Sequence, residues 1–244
     1  MESRPTAAML VIGDEILSGR TRDANMHHLA GQLTERGIAL TEVRVVADER
    51  DAIVEAARAL SGRYDHVFTS GGIGPTHDDI TADSIAEAFG AAIDVREDAR
   101  ARLVAHYDAS GTELNEARLH MARIPDGARL IDNPISAAPG FTLGNVHVMA
   151  GVPAIFEAMV ASVLPTLTGG PPLLSRTLRI ARGEGDIAGP LATLAGEFDD
   201  LQFGSYPALR NGVYSASVVI RGTNEGRVTA AFDRLYHLFP EGSE

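Results

Sequence analysis

The chain has 244 residues, carries a formal net charge of −12, and contains neither cysteine nor tryptophan. All 21 of its basic residues are arginine. The absence of cysteine excludes disulfides, thiolate nucleophiles and cysteine-ligated zinc or iron–sulfur sites. The absence of lysine excludes Schiff-base chemistry and a P-loop lysine. The negative charge argues against nucleic acid and anionic membranes as partners, because both attract clustered positive charge.

The first apolar run, AAMLVI at 7–12, is too short for a membrane span, which needs about 18 apolar residues. Acidic residues follow it at once, so it predicts a buried first strand instead of a signal peptide. We therefore expect a cytoplasmic protein with no membrane partner.

Short apolar runs alternate with helical spacing along the first two-thirds of the chain. The runs predict strands at 7–12, 40–46 and 66–70, and the helical spacing predicts helices from Ala24, around 53–60 and over 80–89. Helical patterns continue through 97–122, a hairpin is predicted around Gly144-Asn145, and a helix at about 153–164 ends the unit. This alternation predicts an α/β fold, with a parallel sheet covered on both faces by helices.

A change of pattern divides the chain at TGGPP, residues 168–172, which is typical of a linker. Beyond it, the order β-α-β-β-α predicts a small α+β domain whose last two strands are joined by a loop containing Asn211-Gly212. We expect a first domain over residues 1–167 and a second over 173–244.

The segment TSGGIGPTHDDIT, residues 69–81, joins a glycine loop to two adjacent aspartates. Ligands of open parallel sheets bind beyond the carboxyl ends of the strands. Glycines let main-chain N–H groups approach a ligand closely, and the start of the following helix favours an anion. The loop therefore favours phosphate, although a simple turn is the alternative. It matches neither the P-loop nor the Rossmann fingerprint.

Asp78 and Asp79 are unexpected beside a phosphate, because two like charges about 5 Å apart repel by ~3 kcal/mol at an effective dielectric of 20. No lysine or arginine lies between Arg63 and Arg96 in the sequence. A divalent cation such as Mg²⁺, bound by one or two carboxylates and phosphate oxygens, is the simplest remedy. Arginines from elsewhere in the fold are an alternative, and either aspartate could instead cap the helix that follows.

Other polar residues are expected at the same edge of the sheet. Asp14 and Glu15 directly follow the first strand in GDEILSGRTRDAN, together with Asp23 and Asn25. Asp23 is well placed to cap the first helix. Asp48 follows the second strand and is either functional or a helix cap. His77 is either a proton relay or metal ligand, or an exposed loop histidine.

The combined motifs resemble a known family. GDEIL followed by D-x-N, then VVAD, GGIGPTHDDIT, NPISAAPGF and AGVP occur in the order seen in the molybdopterin-binding (MoaB/Mog-like) domain. The resemblance covers about residues 7–165 and is closest to the N-terminal part of CinA proteins. The tail, including GSYP at 204–207, resembles the small α+β domain that follows in those proteins. The chain ends before their amidase domain would start, so no amidase activity is expected.

The resemblance implies a three-layer α/β/α sandwich and a set of site residues. Asp48 and Asp79 would be catalytic, and Asp78 and Asp79 would bind a metal. The ligand-binding residues would be Gly13, Asp14, Glu15, Ser70, Gly71, Gly72, Gly74, Asn133, Pro139 and Gly140. The ligand would be a phosphate-bearing nucleotide or molybdopterin, and the protein would form a homo-oligomer, a dimer or a trimer.

Three functions remain open at this point. The leading hypothesis is hydrolysis of a dinucleotide pyrophosphate such as ADP-ribose or FAD with Mg²⁺, Mn²⁺ or Co²⁺. The second is adenylyl transfer to molybdopterin, and the third is a non-catalytic pterin or nucleotide carrier. No haem, flavin prosthetic group or iron–sulfur cluster is expected.

Overall fold

Strands and helices alternate through the first part of the computed structural model, which describes residues 4–210 and 213–243. The elements of this part are β1 (Thr6–Ile12), α1 (Asp14–Leu17), α2 (Asn25–Glu35), β2 (Ala39–Val46), α3 (Arg50–Ser61), β3 (His66–Ser70), α4 (Thr81–Phe89), β4 (Ile93–Val95), α5 (Glu97–Ser110), α6 (Glu116–Leu119), β5 (Arg123–Pro125), β6 (Arg129–Ile131), β7 (Gly140–Leu143), β8 (Val146–Met149) and α7 (Pro153–Val163). The described helices are all too short or too polar to cross a bilayer.

The central sheet has six strands in the order β2-β1-β3-β8-β7-β6. The pairs β2–β1, β1–β3 and β3–β8 are parallel, whereas β8–β7 and β7–β6 are antiparallel. Met9 of β1 lies opposite Val43 on one side and Phe68 on the other. This central position explains the continuous apolar run of β1, because strands of a covered parallel sheet are buried on both faces.

Two hydrophobic cores lie on opposite faces of this sheet. One contains Ala8, Leu10 and Ile12 of β1 together with buried residues of α3, α4 and α5. The other contains the alternate β1 residues and buried residues of α2 and α7. The expected α/β/α sandwich with a mostly parallel sheet is therefore confirmed.

The chain divides into two compact units between Gly170 and Pro171. The second unit contains β9 (Leu174–Ile180), α8 (Glu184–Glu197), β10 (Gln202–Arg210), β11 (Val213–Gly222) and α9 (Glu225–Leu238). Its antiparallel sheet has the order β10-β11-β9 and shares one hydrophobic core with both helices. The expected β-α-β-β-α order is confirmed, and Asn211-Gly212 lie outside the described residues.

The helix ends correct the caps that were expected at Asp78 or Asp79 and at Asp48. The N-cap of α4 is Ile80 with no side-chain cap, so neither Asp78 nor Asp79 caps it. The N-cap of α3 is Glu49, also without a side-chain cap, so Asp48 has another role. The helical patterns expected over 97–122 are confirmed as α5 and α6, and α5 is followed by its C-cap Gly111, which has a φ of 64°. The N-cap of α2 is Ala24 with no side-chain cap, although Asp23, one residue before it, accepts from the main-chain N–H of Met26 at 2.9 Å.

Two neighbouring histidines lie on the sheet, His147 buried and His66 only partly buried. His147 is 2% exposed, its Nε2 lies 3.4 Å from Nδ1 of His66, and its Nδ1 lies 3.0 Å from the Thr142 hydroxyl. Burial, followed by the nearby charges of His66 and Arg129, lowers the pKa of His147 to about 3. This imidazole is therefore neutral in the folded protein at neutral pH.

Replacing His147 by Gln should make the free energy of unfolding less dependent on pH below pH 6.5. In the unfolded chain the His147 pKa returns to 6.5, so below that pH the unfolded state binds the extra proton. We expect the wild-type protein to lose stability as the pH falls from 6.5 toward 3, by up to about 1.4 kcal/mol per unit.

Urea unfolding between pH 7 and pH 4 checks this prediction. His147→Gln should reduce the slope of the unfolding free energy against pH. His77→Gln, at a side chain that is 98% exposed, should not change this slope. Equal slopes for the wild type and both variants would contradict the prediction.

Candidate active site

A cleft of about 500 Å³ opens beyond the carboxyl ends of the parallel strands. Its volume falls within the usual range of small-molecule sites. Its walls come from segments distant in the sequence: Ile12, Gly13, Glu15, Thr21, Asp48, Gly71, Gly72, Ile73, Gly74, Pro75, Asp78, Asp79, Met121, Asn133, Ser136, Ala138, Ala150, Gly151, Val152, Pro153 and Ile155. The parallel topology alone brings the segments after β1, β2 and β3 together.

The glycine loop has a conformation that other residues cannot easily adopt. Gly71 has a φ of 109°, and a Cβ there would lie 2.2 Å from the carbonyl oxygen of Ile12. Gly72 has a φ of 68°, and a Cβ there would lie 2.1 Å from Oγ1 of Thr81. Thr81 holds the loop by donating from its hydroxyl to Gly71 and from its main-chain N–H to Gly72, at 3.0 and 2.9 Å. The first turn of α4 therefore fixes the loop at its start.

Unpaired main-chain donors line one wall of the cleft. The N–H groups of Gly72, Ile73 and Gly74 donate no hydrogen bond to any described residue. The N-terminus of α7 is at the same cleft, with Val152 as its N-cap and no acidic residue in its first turn. Free N–H groups and a helix N-terminus both carry partial positive charge. This wall is suited to bind an anion such as phosphate.

Carboxylates also border the cleft, two of them on the glycine loop itself. Glu15, Asp48, Asp78 and Asp79 all border the cleft. Burial raises the pKa of Asp48, the main-chain N–H of Asp14 lowers it through a 2.9 Å hydrogen bond, and the charges of Asp14, Glu15 and Asp78 raise it again. Asp48 thus ties the end of β2 to the start of α1 and is held among like charges.

Asp79 is oriented by its own loop. Its Oδ2 accepts from the main-chain N–H of Thr76 at 2.8 Å and from the Thr76 hydroxyl at 2.5 Å. Gly74 leaves room for this arrangement, because a Cβ there would lie 2.6 Å from the same oxygen. Asp78 is more exposed, and His77 is an exposed loop histidine whose Nδ1 lies 3.9 Å from Asp78.

Asn133 uses its side chain to build a turn. Its Oδ1 accepts from the N–H groups of Ile135 and Ser136, and its Nδ2 donates to the Ser136 hydroxyl and the carbonyl of Ala138. The turn includes Ala137 with a φ of 60°, a conformation that costs a non-glycine residue roughly 1–2 kcal/mol. Asn133 therefore shapes the cleft wall, and its expected contact with the ligand stays a prediction.

The structure brings most of the expected residues to the cleft, but not all. Gly13, Glu15, Asp48, Gly71, Gly72, Gly74, Asp78, Asp79 and Asn133 line it, whereas Asp14, Ser70, Pro139 and Gly140 do not. The hydroxyl of Ser70 is buried and accepts from Asn25, and Gly140 packs against the carbonyl of Val148. Pro139 borders a cavity of only about 10 Å³ beside Asp79.

Residue patterns did not reveal the roles of Thr76 and the start of α7. Only the three-residue spacing between Thr76 and Asp79 could have indicated a local side-chain turn. The AGVP motif at 150–153 marks the start of α7, but nothing in it indicates which cleft the helix faces.

Comparison with known proteins agrees with the fold and the motifs. A family model described as "Probable molybdopterin binding domain" matches residues 8–169. The chain belongs to this molybdopterin-binding domain family. A second model, "FAD synthase, middle domain", matches residues 172–244 of this molybdopterin-binding domain protein.

Relatives of this family member include proteins of CinA type and FAD synthase type. The CinA protein of Thermoplasma acidophilum, whose crystal structure is known, is 35% identical with a TM-score of 0.61, and the match covers 66% of this chain and 97% of that one. A "Probable FAD synthase" of Caenorhabditis elegans is 33% identical over 98% of this chain, which spans 50% of that protein's length. A protein of Pyrobaculum calidifontis is 34% identical, and the match covers 96% of this chain and 95% of that protein.

Replacing Gly72 by Ala should destabilise the protein more than the same change at Gly19. Both glycines have a positive φ, 68° and 73°, so each variant incurs a cost of about 1–2 kcal/mol for the left-handed conformation. A Cβ at Gly19 meets nothing within 4 Å, whereas one at Gly72 collides with Thr81. Urea unfolding should therefore show at least twice the loss of unfolding free energy for Gly72→Ala as for Gly19→Ala. Equal losses in the two variants would contradict the described loop geometry.

Proposed function

We propose that the cleft binds a phosphate-bearing nucleotide or pterin, and that the protein hydrolyses a dinucleotide pyrophosphate of the FAD or ADP-ribose type with a divalent cation, Mg²⁺, Mn²⁺ or Co²⁺. The observation that carries this proposal is that free N–H groups at Gly72–Gly74 and several carboxylates line the same cleft. The N–H groups would bind phosphate oxygens, and the carboxylates are suited to the chemistry beside them.

The arrangement of the carboxylates is compatible with a magnesium-like ion. Within the described ranges, no group of three or more His, Cys, Asp or Glu side chains is placed to hold a metal by itself. Magnesium uses one or two carboxylates and completes its coordination with water and substrate phosphate. Asp78 and Asp79, with Asp48 nearby, provide such a partial set. The bound cation would neutralise the crowded charge and polarise the phosphoryl group.

Asp48 is the side chain best suited to activate water. Burial raises its pKa, which moves it toward the range where a carboxylate accepts a proton more readily. In the proposed reaction, Asp48 takes a proton from water while the water oxygen forms a bond to phosphorus. The bridging P–O bond breaks, and its electron pair leaves with the second phosphate. FAD would give AMP and FMN, and ADP-ribose would give AMP and ribose 5-phosphate.

The second unit favours a flavin nucleotide over other ligands. Residues 172–244 match the middle domain of FAD synthase, and relatives of Caenorhabditis elegans and Caenorhabditis briggsae bear the name "Probable FAD synthase". These names belong to proteins about twice as long as this chain. They support FAD as the first substrate to test.

The same names favour a second candidate, transfer of AMP to a phosphate acceptor. The bond that breaks would again be a pyrophosphate bond, here in ATP. The acceptor of AMP would be FMN or the phosphate of molybdopterin instead of water. Incubation with ATP and each acceptor distinguishes the candidates, because transfer yields an adenylylated product and hydrolysis does not. Tight binding without either product would leave only a carrier function.

Replacing Asp79 by Asn should lower turnover by about 10²-fold, because the neutral amide holds the proposed cation much more weakly than the carboxylate does. Asn keeps an oxygen for the two Thr76 donors, so the fold should not change. AMP release from FAD and ADP-ribose with each of the three metals provides the measurement. Asp126→Asn, an exposed acid that does not line the cleft, is the matched control.

Absence of AMP release from both substrates with every metal would contradict the hydrolase proposal. Release that is equally fast in Asp79→Asn would contradict the role of this carboxylate.

Replacing Asp48 by Asn should leave the metal-free protein at least as stable as the wild type. The change removes one of several crowded charges, while the Asn oxygen still accepts from the N–H of Asp14. The stabilisation by Mg²⁺ and AMP should be reduced; in the wild type it should reach about 2.7 kcal/mol when the ligand is at 100 times its Kd. Thermal unfolding with and without both ligands measures this, and equal ligand shifts in both proteins would contradict the proposal.

A further inference from the structure

β2 forms one edge of the six-stranded sheet, and β1 is its partner strand in the part of the chain that the structure describes. The carbonyl oxygen of Val46, its last residue, accepts a hydrogen bond at 3.2 Å from the N–H of Gly13, directly after β1. The main-chain groups of successive strand residues point to opposite sides, so those of Arg44 also face β1. The N–H and C=O groups of Val43 and Val45 therefore point away from the sheet.

These outward groups leave an open and apolar edge. The N–H and C=O groups of Val43 and Val45 have no hydrogen-bond partner among the described residues. Their side chains are 40% and 41% exposed. The register shift in the pairing with β1 lies between Ala7 and Ala8, before this segment, so residues 42–46 are a regular strand. An edge of this kind is a template for pairing with another strand.

The sequence around Val43 is complementary to itself when it is read in the opposite direction. Glu42 precedes Val43, and Arg44 follows it. If two copies of β2 lie antiparallel with Val43 opposite Val43, Glu42 of each copy faces Arg44 of the other. The two Val43 residues would exchange both main-chain hydrogen bonds, and Glu42 and Arg44 would form the adjacent non-hydrogen-bonded pair, in which side chains are closer. Opposite charges in such a pair stabilise a sheet.

Both charges are available for this contact. The hydroxyl of Tyr64, and after it Arg44, lowers the pKa of Glu42, so its carboxylate is ionised at neutral pH. Nε of Arg44 donates to Oε1 of Glu42 in the same chain at 2.6 Å. The terminal guanidinium nitrogens of Arg44 carry further N–H groups, which donate to no described residue. Arg44 can therefore keep this bond and also bind Glu42 of a second copy.

We propose that β2 is a homodimer interface, in which it pairs antiparallel with β2 of a second copy about a twofold axis at Val43. A twofold interface brings the same surface of each copy together, so the two strands meet in opposite directions. The two six-stranded sheets then form one continuous sheet. A strand from another protein would need an arginine and a glutamate at this spacing, whereas a second copy supplies both by symmetry.

This dimer leaves the two clefts separate. The cleft lies beyond the carboxyl end of β2, where Asp48 borders it. In an antiparallel pair the carboxyl ends of the two strands point in opposite directions, so the clefts open at opposite edges of the joined sheet. The inference is therefore independent of the proposed function.

Amide hydrogen exchange of the ¹⁵N-labelled full chain, followed by NMR, tests the contact without any substitution. At concentrations where the dimer forms, we expect the amides of Val43 and Val45 to exchange slowly, because the second copy supplies their acceptors. Dilution should raise both exchange rates. The amide of Arg44, which is bonded to β1 in each copy, should exchange slowly at every concentration.

Charge reversal tests the register of the pair. Arg44→Glu places an acid opposite Glu42, and Glu42→Arg places an arginine opposite Arg44, so each variant should raise the dimer dissociation constant by about tenfold or more. An equimolar mixture restores opposite charges at every pair, so it should form a heterodimer more tightly than either variant forms a homodimer. Analytical ultracentrifugation measures these masses. Arg100→Glu, which breaks the pair with Glu97 on α5, should dimerise as the wild type does.

Several results would overturn the inference. A monomer at every concentration, or a trimer, would refute the twofold interface. A dimer in which Val43 and Val45 exchange as fast as unprotected amides would place the interface elsewhere. Equal dimerisation of the wild type and Arg44→Glu, or a mixture that associates no better than the separate variants, would refute the antiparallel register.

Discussion

The cleft depends on three main-chain N–H groups that the fold leaves without acceptors. Gly72, Ile73 and Gly74 follow β3 in a backbone conformation that only glycine adopts easily at its first position. Thr81 holds that conformation by donating hydrogen bonds to the carbonyls of Gly71 and Gly72. The loop is therefore fixed while its three N–H groups remain without acceptors. A chain that builds such a loop at a sheet edge gains a preformed site for an anion.

An anion bound to these donors would explain why carboxylates also border the cleft. Asp48 and Asp79 are each oriented by a main-chain N–H, from Asp14 and Thr76 respectively, so the carboxylates are held in place without a ligand. Burial, and after it the charges of Asp14, Glu15 and Asp78, raises the pKa of Asp48. A cation between carboxylate and phosphate would relieve this crowding of charge. In the proposed function, cation binding and water activation would both depend on this crowding of charge.

Local patterns in the sequence predicted the sandwich because each pattern had a local cause. Apolar runs marked the strands buried on both faces, and the parallel topology then predicted that Glu15, Asp48 and Asp79 meet at one edge. Sequence patterns did not predict the orientation of side chains that is set by tertiary contacts. Ser70 ends β3 beside the loop, yet its hydroxyl is buried against Asn25, a partner 45 residues away that no spacing rule identifies.

The central claim, that the amides of Gly72–Gly74 bind the phosphate, is tested most directly by amide NMR of the ¹⁵N-labelled protein during titration with AMP and Mg²⁺. We expect the resonances of Gly72, Ile73 and Gly74 to shift with the bound fraction and their hydrogen exchange to slow. The three donors then have an acceptor, whereas Gly19, outside the cleft, should not change. Saturating binding with these three amides unshifted would show that the ligand is held elsewhere and would contradict the account.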